Sequence, residues 1–190
     1  MMLFQWFKHK SLRRIAAQRL YQAALAQSRH PDFYSALAVA DTTDGHFDLL
    51  SLHVFLIINR LNELGRDGKA LGQALFDAMF RRMDLDLREM GVGDLGVPKH
   101  MKRMMKAFNG RAAIYHDLLI KGDVATIEAA LTRNIYKADG QVIAGAKILA
   151  DYTVAAHGQL QSLPLEHFRA ENFTFPSSLI SPKDDVRRSA

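Results

Sequence analysis

Apolar residues recur three and four positions apart along most of the chain, and no stretch shows the strict alternation of a half-buried strand. The pattern predicts helices throughout. From Ser11 to Gln27, Leu12, Ile15, Ala16, Leu20 and Ala23 fall on one side and Lys10, Arg14, Gln18 and Gln22 on the other. Pro31 suits the first turn of a short second helix through Phe33, Leu37 and Ala40. The turn residues Asp41 to Gly45 then offer capping oxygens to a third helix. In that helix Phe47, Leu50, Val54, Ile58 and Leu61 form a stripe, and Leu49, Leu52, Phe55 and Leu56 fill most of the remainder, the signature of a central, buried helix. Gly65 to Gly68 is expected to end it.

A fourth helix carries Phe76, Phe80, Met83, Leu87 and Met90, with Asp77–Arg81 and Asp84–Arg88 spaced as i,i+4 pairs on its exposed side. A glycine turn follows, and Pro98 fits the first helical position of the next helix. There Met101, Met104, Met105 and Phe108 are expected on one face and Lys99, Lys102, Arg103 and Lys106 on another, with Ile114, Tyr115 and Leu118 continuing the apolar side. Gly122-Asp123 opens a helix with Val124, Ile127, Leu131 and Ile135, and Gly140 to Leu160 is the last clear one. From Leu163 the pattern dissolves among prolines, where Phe168, Phe173 and Phe175 could pin a tail and Lys183 to Ala190 reads as disordered. The expected fold is all-α. It is a single compact helical domain of about seven helices, with a basic N-terminal arm over 1–30, a core over 31–162 and an irregular tail over 163–190.

Composition narrows the function. The chain has 190 residues, 48% hydrophobic, enough for one real core. It contains no cysteine, which excludes disulfides, thiolate metal sites and cysteine nucleophiles. The longest apolar run, residues 49–58, is interrupted by Ser51 and His53 and falls well short of the roughly 20 apolar residues needed to span a bilayer. The net charge of +5 is concentrated at one end. Lys8, Lys10, Arg13, Arg14, Arg19 and Arg29 lie before the first acidic residue, Asp32, and the rest of the chain is close to neutral. A whole-surface nucleic-acid binder is therefore disfavoured, and no specific DNA binding is expected. Phe4, Trp6 and Phe7 beside Lys8, Lys10, Arg13 and Arg14 suit contact with an anionic membrane surface; an ordinary packed helix with solvated charges is the alternative.

Catalytic chemistry is sparse. Gly91-x-Gly93-x-x-Gly96 matches a dinucleotide fingerprint, but the residues before it have helical period where the fingerprint needs a strand. The carboxylates Asp77, Asp84, Asp86, Glu89 and Asp94 are interleaved with arginines, as on a solvated ion-pair face. His46 and His53 are seven residues apart, too far for one metal ion without further ligands. No catalytic residue, cofactor or metal site is expected.

Several segments resemble one family. Gly45-His46-Phe47-Asp48-Leu49-Leu50-Ser51-Leu52-His53-Val54-Phe55-Leu56, Leu75-Phe76-Asp77-Ala78-Met79-Phe80, the run from Leu87 to Lys99 (LREMGVGDLGVPK), and Phe108-Asn109-Gly110-Arg111 are similar to the ubiquinol–cytochrome c chaperones, assembly factors of the cytochrome bc1 complex. The resemblance covers about Pro31 to Lys137; the family pattern has Asp at Arg82 and Tyr at Asn109. It implies an all-helical chaperone, not an enzyme, that holds newly made apo-cytochrome b before haem insertion and assembly. It further implies a small partner protein and a place near the ribosomal exit for mitochondrial members. The corresponding location is the cytoplasmic side of a bacterial inner membrane, peripherally attached, or the mitochondrial matrix in a eukaryote. On that basis Lys99, Met101, Lys102, Arg103, Met104, Met105, Lys106 and Phe108 are candidate client or partner contacts, and Asp84, Arg88, Glu89 and Asp94 a candidate polar patch. The competing reading is a haem- or metal-handling helical protein using His46, His53 and His116.

Overall fold

The computed structural model describes residues 2–138 and 140–176, with side chains from Lys10 onward. Every regular element among the described residues is helical: α1 (Met2–Ser28), α2 (Asp32–Ser35), α3 (Thr43–Glu63), α4 (Gly65–Glu89), α5 (Gly96–Lys121), α6 (Val124–Asn134), α7 (Ala144–Gln161) and α8 (Leu165–Arg169). Six are long and two are single turns, so the all-α expectation matches the fold.

Helix α3 is the axis of the molecule. Thr42 caps it, its side chain accepting a hydrogen bond from Gly45 N at 3.2 Å. Its residues from Asp48 to Ile57 are buried without interruption. A helix this apolar must be enclosed, and it is: α1 and α4 pack against it and each other, α7 covers another side with α6 beside it, and α5 crosses from α4 to α6. The α3–α4 corner is tighter than the glycines suggest. Leu64 alone separates the two helices, and Gly68 lies inside α4. A Cβ at Gly68 would stand 2.2 Å from the Leu61 carbonyl oxygen, so only glycine permits this approach.

Other boundaries also shift. Pro31 caps α2 rather than entering it, Pro98 is the third residue of α5, and α7 begins at Ala144. In α1 the buried side is Ala16, Ala17, Leu20, Tyr21 and Ala24, while Leu12 and Ile15 are 53% and 45% exposed. Small alanines permit close contact between α1 and its neighbours, and this contact rotates the helix away from the face its larger aliphatics define. The aromatic tail is pinned: Phe168, Phe173 and Phe175 are buried, with Phe168 stacked on Phe173 and Phe175 edge-on to His53. The tail expected to be disordered, Lys183 to Ala190, lies outside the described residues. Among the described residues no helix is long and apolar enough to cross a membrane.

Candidate client-binding groove

The site is assembled from four segments distant in sequence. The C-terminal half of α1, the start of α3, the end of α4 and the first half of α5 enclose an open groove of about 520 Å³. Tyr21, Leu25, Phe47, Leu50, Met83, Leu87, Met90 and Met104 supply its apolar surface. Gln18, Gln22, Arg29, His46, Arg82 and Asp86 supply its polar edge. The α1 residues that line it, Gln18 to Ser28, extend for about 15 Å at the helical rise, roughly three turns.

The turn after α4 sets the fourth wall. Gly91 has φ +82°, a left-handed conformation natural to glycine, and Val92 N and Gly91 N donate to the carbonyls of Leu87 and Arg88 at 3.0 Å each. This is a Schellman ending, which satisfies carbonyls that the helix leaves open. It turns the chain so that Met104 of α5 lines the groove together with Met83 of α4 and Met90, the residue that caps α4. The glycine triplet thus serves a helix–helix joint. Arg88 secures it: its Nε donates to Asp84 at 2.8 Å and its Nη1 to Asp94 at 2.8 Å.

The expected polar patch therefore splits. Asp84, Arg88 and Asp94 come together as the clamp on the joint, whereas Glu89 pairs with Arg82 at 3.3 Å. Arg82 also binds Asp86 at 2.6 Å and so orders the groove edge, at the position where the family resemblance departs. Burial first, then the Asp86 carboxylate, raises the Tyr21 phenol above its usual pKa. Asp77 takes a hydrogen bond from Gln73 at 2.8 Å and makes no ion pair with Arg81 among the described residues.

The four apolar contact residues expected on one face of α5, Met101, Met104, Met105 and Phe108, do not share one environment. Phe108 is only 4% exposed and packs against Phe76 and Phe80, so it belongs to the core and not to an accessible surface. Met101 and Met104 are partly buried against that core, and Met104 alone of the eight lines the groove. Met105, Lys99, Lys102, Arg103 and Lys106 face solvent on the outer side. The membrane-contact residues Lys10, Arg13 and Arg14 are exposed; the side chains of Phe4, Trp6, Phe7 and Lys8 lie outside the described residues.

His46, His53 and His116 each make separate structural contacts. His53 is fully buried: its Nδ1–H donates to the Leu49 carbonyl at 2.7 Å, and its Nε2 accepts from the Tyr152 hydroxyl at 2.8 Å. A carbonyl can only accept, which assigns that tautomer. Gln27 completes the chain by donating to the Tyr152 oxygen at 3.2 Å. Burial lowers the His53 pKa from 6.5 to about 4, so the ring is neutral. His46 pairs with Asp41 at 2.7 Å on the surface, and His116 Nδ1 donates to Asn59 at 2.7 Å. The competing set His46, His53 and His116 is thus committed to three separate partners. Among the described residues no group of three or more His, Asp or Glu side chains is placed to hold a metal ion.

One charged centre escaped the sequence reading. Asp48, in the middle of the apolar α3 motif, has a side chain only 3% exposed. It bonds Arg111 of α5 and Lys137 of the segment before α7, tying two parts of the fold to α3. Nearby, burial pushes the Tyr115 phenol up to about 12, against a hydrogen bond from Asn134. The available signal was a lone carboxylate amid leucines, since a buried charge demands a partner; nothing in periodicity says which.

The comparisons with known proteins bear on this geometry. The profile of the ubiquinol-cytochrome C chaperones matches residues 35–175, a span that includes the α3, α4 and α5 walls of the groove. The chain belongs to the ubiquinol–cytochrome c chaperone family. The crystal structure of the Cbp3 homolog from Brucella abortus is similar at 32% identity and a TM-score of 0.80, covering 92% of this chain and 96% of that one. Ubiquinol-cytochrome-c reductase complex assembly factor 1 of Xenopus laevis is 25% identical over 122 residues, 64% of this chain and 60% of the relative. The Mus musculus protein of the same name is 26% identical over 139 residues, 73% of this chain and 47% of the relative. The chain thus spans roughly half the length of such relatives.

Proposed function

We propose that the protein is a non-enzymatic assembly chaperone for the cytochrome bc1 complex, and that its groove holds an apolar helical segment of newly made cytochrome b before haem is inserted. The names of the relatives support the complex. The groove supports the mode of binding: it is about three turns long, mostly apolar, edged by Arg29, Arg82 and Asp86, and lined by three methionines. Methionine side chains adapt to many apolar shapes, which suits a surface that must accept and release a client. An amphipathic or apolar helix would enter by residues spaced i, i+3/i+4 and i+7. The location that follows is the membrane face at which cytochrome b is made.

In this reading Met104 contacts the client and Met101 supports it from below. Lys99, Lys102, Arg103, Met105 and Lys106, on the outer side of α5, are available to a small partner protein or the ribosomal exit region. Asp84, Arg88 and Asp94 hold the joint that sets the width of the groove.

The test is co-purification from membrane-containing cells with the full chain. Met90, 59% exposed, and Met104 are replaced together by Glu, which places charge in the groove without removing a fully buried side chain. Recovery of cytochrome b should fall at least tenfold while the thermal transition is retained. Undiminished recovery, or photo-crosslinks to cytochrome b from Lys102 and Met105 but none from Met104, would move the client to the outer face of α5 and overturn the groove.

A further inference from the structure

Helix α1 changes character half-way. From Ala16 on one side of it is core, but every side chain from Lys10 to Ile15 is exposed. Open troughs run along both flanks of this outer half. One, of about 650 Å³, has Leu12, Ile15, Ala16 and Leu71 among its lining; the other, of about 360 Å³, has Ala70 and Ala74. Arg13 borders both.

The charge around these troughs is one-sided. The acids there are engaged: Asp67 with Arg169 at 2.7 Å, Glu171 with Arg19 at 3.0 Å, and Asp77 with Gln73 at 2.8 Å. Arg13, Arg14 and Arg81 form no ion pair among the described residues, and Lys10 adds a further positive charge. In sequence, Leu3, Phe4, Trp6, Phe7 and Lys8 precede this segment, again with no acid.

We infer that the outer half of α1, with the α4 residues beside it, is a docking surface for an anionic phospholipid bilayer. Cations attract the headgroups, and the exposed Leu12 and Ile15 above Leu71 give acyl chains an apolar place to settle. A nucleic-acid backbone would satisfy the charges but leave that apolar trough uncovered. The position matters as well. Gln18 of the client groove lies about 8 Å along the helix from Arg13, so a bilayer at this surface brings the groove to the membrane edge. The inference stands whether or not cytochrome b is what the groove holds.

Trp6 is the only tryptophan and serves as the probe. The full chain is titrated with vesicles of phosphatidylcholine alone and of phosphatidylcholine mixed with phosphatidylglycerol, and with an RNA oligonucleotide. Trp6 emission should shift to the blue, and protein should co-sediment, only with the anionic vesicles, and high salt should weaken both. The double variant Arg13→Gln, Arg14→Gln should partition roughly 30-fold more weakly. Leu12→Gln with Ile15→Gln should retain the salt dependence and lose most of the blue shift. These side chains are exposed, and unchanged thermal melting confirms that the variants fold. Equal binding to both vesicle types, RNA binding in place of vesicle binding, or a concentration-dependent dimer that protects residues 10–15 would each overturn the inference.

Discussion

Helix α3 buries 13 of its 21 residues, whereas α5 buries only Val97, Phe108, Tyr115 and Leu119 of its 26. Both lie in the matched family region, and both carry apolar side chains at helical spacing. The difference lies in what surrounds them. Helices α1, α4 and α7 pack around α3 and cover most of its sides. Helix α5 lies across one side, its first half over the groove and its far side in water, with Met105, Ile114 and Ile120 exposed. Elements that admit a guest come from the weakly packed end of a structure, because they must give way at small cost. The fold separates the two helices: α3 holds the molecule together and α5 lies over one wall of the groove.

The largest effect that would test this division is in α3. Leu56 is fully buried, and Leu56→Ala removes its packing on all sides. The loss should be about 3 kcal/mol in urea unfolding, whereas Met105→Ala on α5 should change stability by less than about 0.5 kcal/mol. Similar costs at the two positions would abolish the contrast.

Acid supplies a second, slightly smaller effect, again centred on α3. His53 is neutral in the fold at a pKa of about 4 and protonates near 6.5 when unfolded. The unfolded chain therefore binds the extra proton between those values. The contribution is fully present above about pH 6.5 and is lost as pH falls toward 4, about 3 kcal/mol in all. About 2 kcal/mol of it should be gone by pH 5, read from unfolding midpoints at a series of pH values. His157, also lowered by burial, acts in the same sense. A midpoint flat from pH 7 to pH 5 would place His53 in a wetter site than its contacts with Leu49 and Tyr152 describe.

What the sequence made legible follows from the range of each signal. The burial of α3, its cap near Thr42, and the break at Gly122 and Asp123 rest on neighbours within a turn or two, and all three are present. The groove rests on Tyr21, Phe47, Met83, Met90 and Met104 converging from separate helices, and only Met104 had been singled out on client-binding grounds. The facing of α1 went astray because Leu12 and Ile15 outweigh Ala17 and Ala24 in any hydropathy pattern, yet the alanines allow the close packing. Asp48, Arg111 and Lys137 are each an ordinary charge in one dimension. They become a centre only when α5 and the segment before α7 fold back onto α3.

That centre offers the finest test of the comparison, because it is where the two helices are joined by charge. Asp48→Asn keeps the shape and removes the carboxylate that Arg111 and Lys137 share. The Arg111 and Lys137 side chains retain 19% and 54% exposure and can recover water, so the loss should be about 2 kcal/mol, below that of a fully buried pair. Native-state hydrogen exchange shows where it falls. In the parent protein α5 amides should open at lower free energy than those of α3. If α5 lifts as a unit, lifting breaks the Arg111 tether but leaves that of Lys137, so the substitution should lower both opening energies, speeding exchange about 30-fold in α3 and by the smaller Arg111 share in α5. A change confined to α3 would mean that α5 frays without releasing Arg111, and the covering helix would then be pinned where the chaperone reading needs it to move.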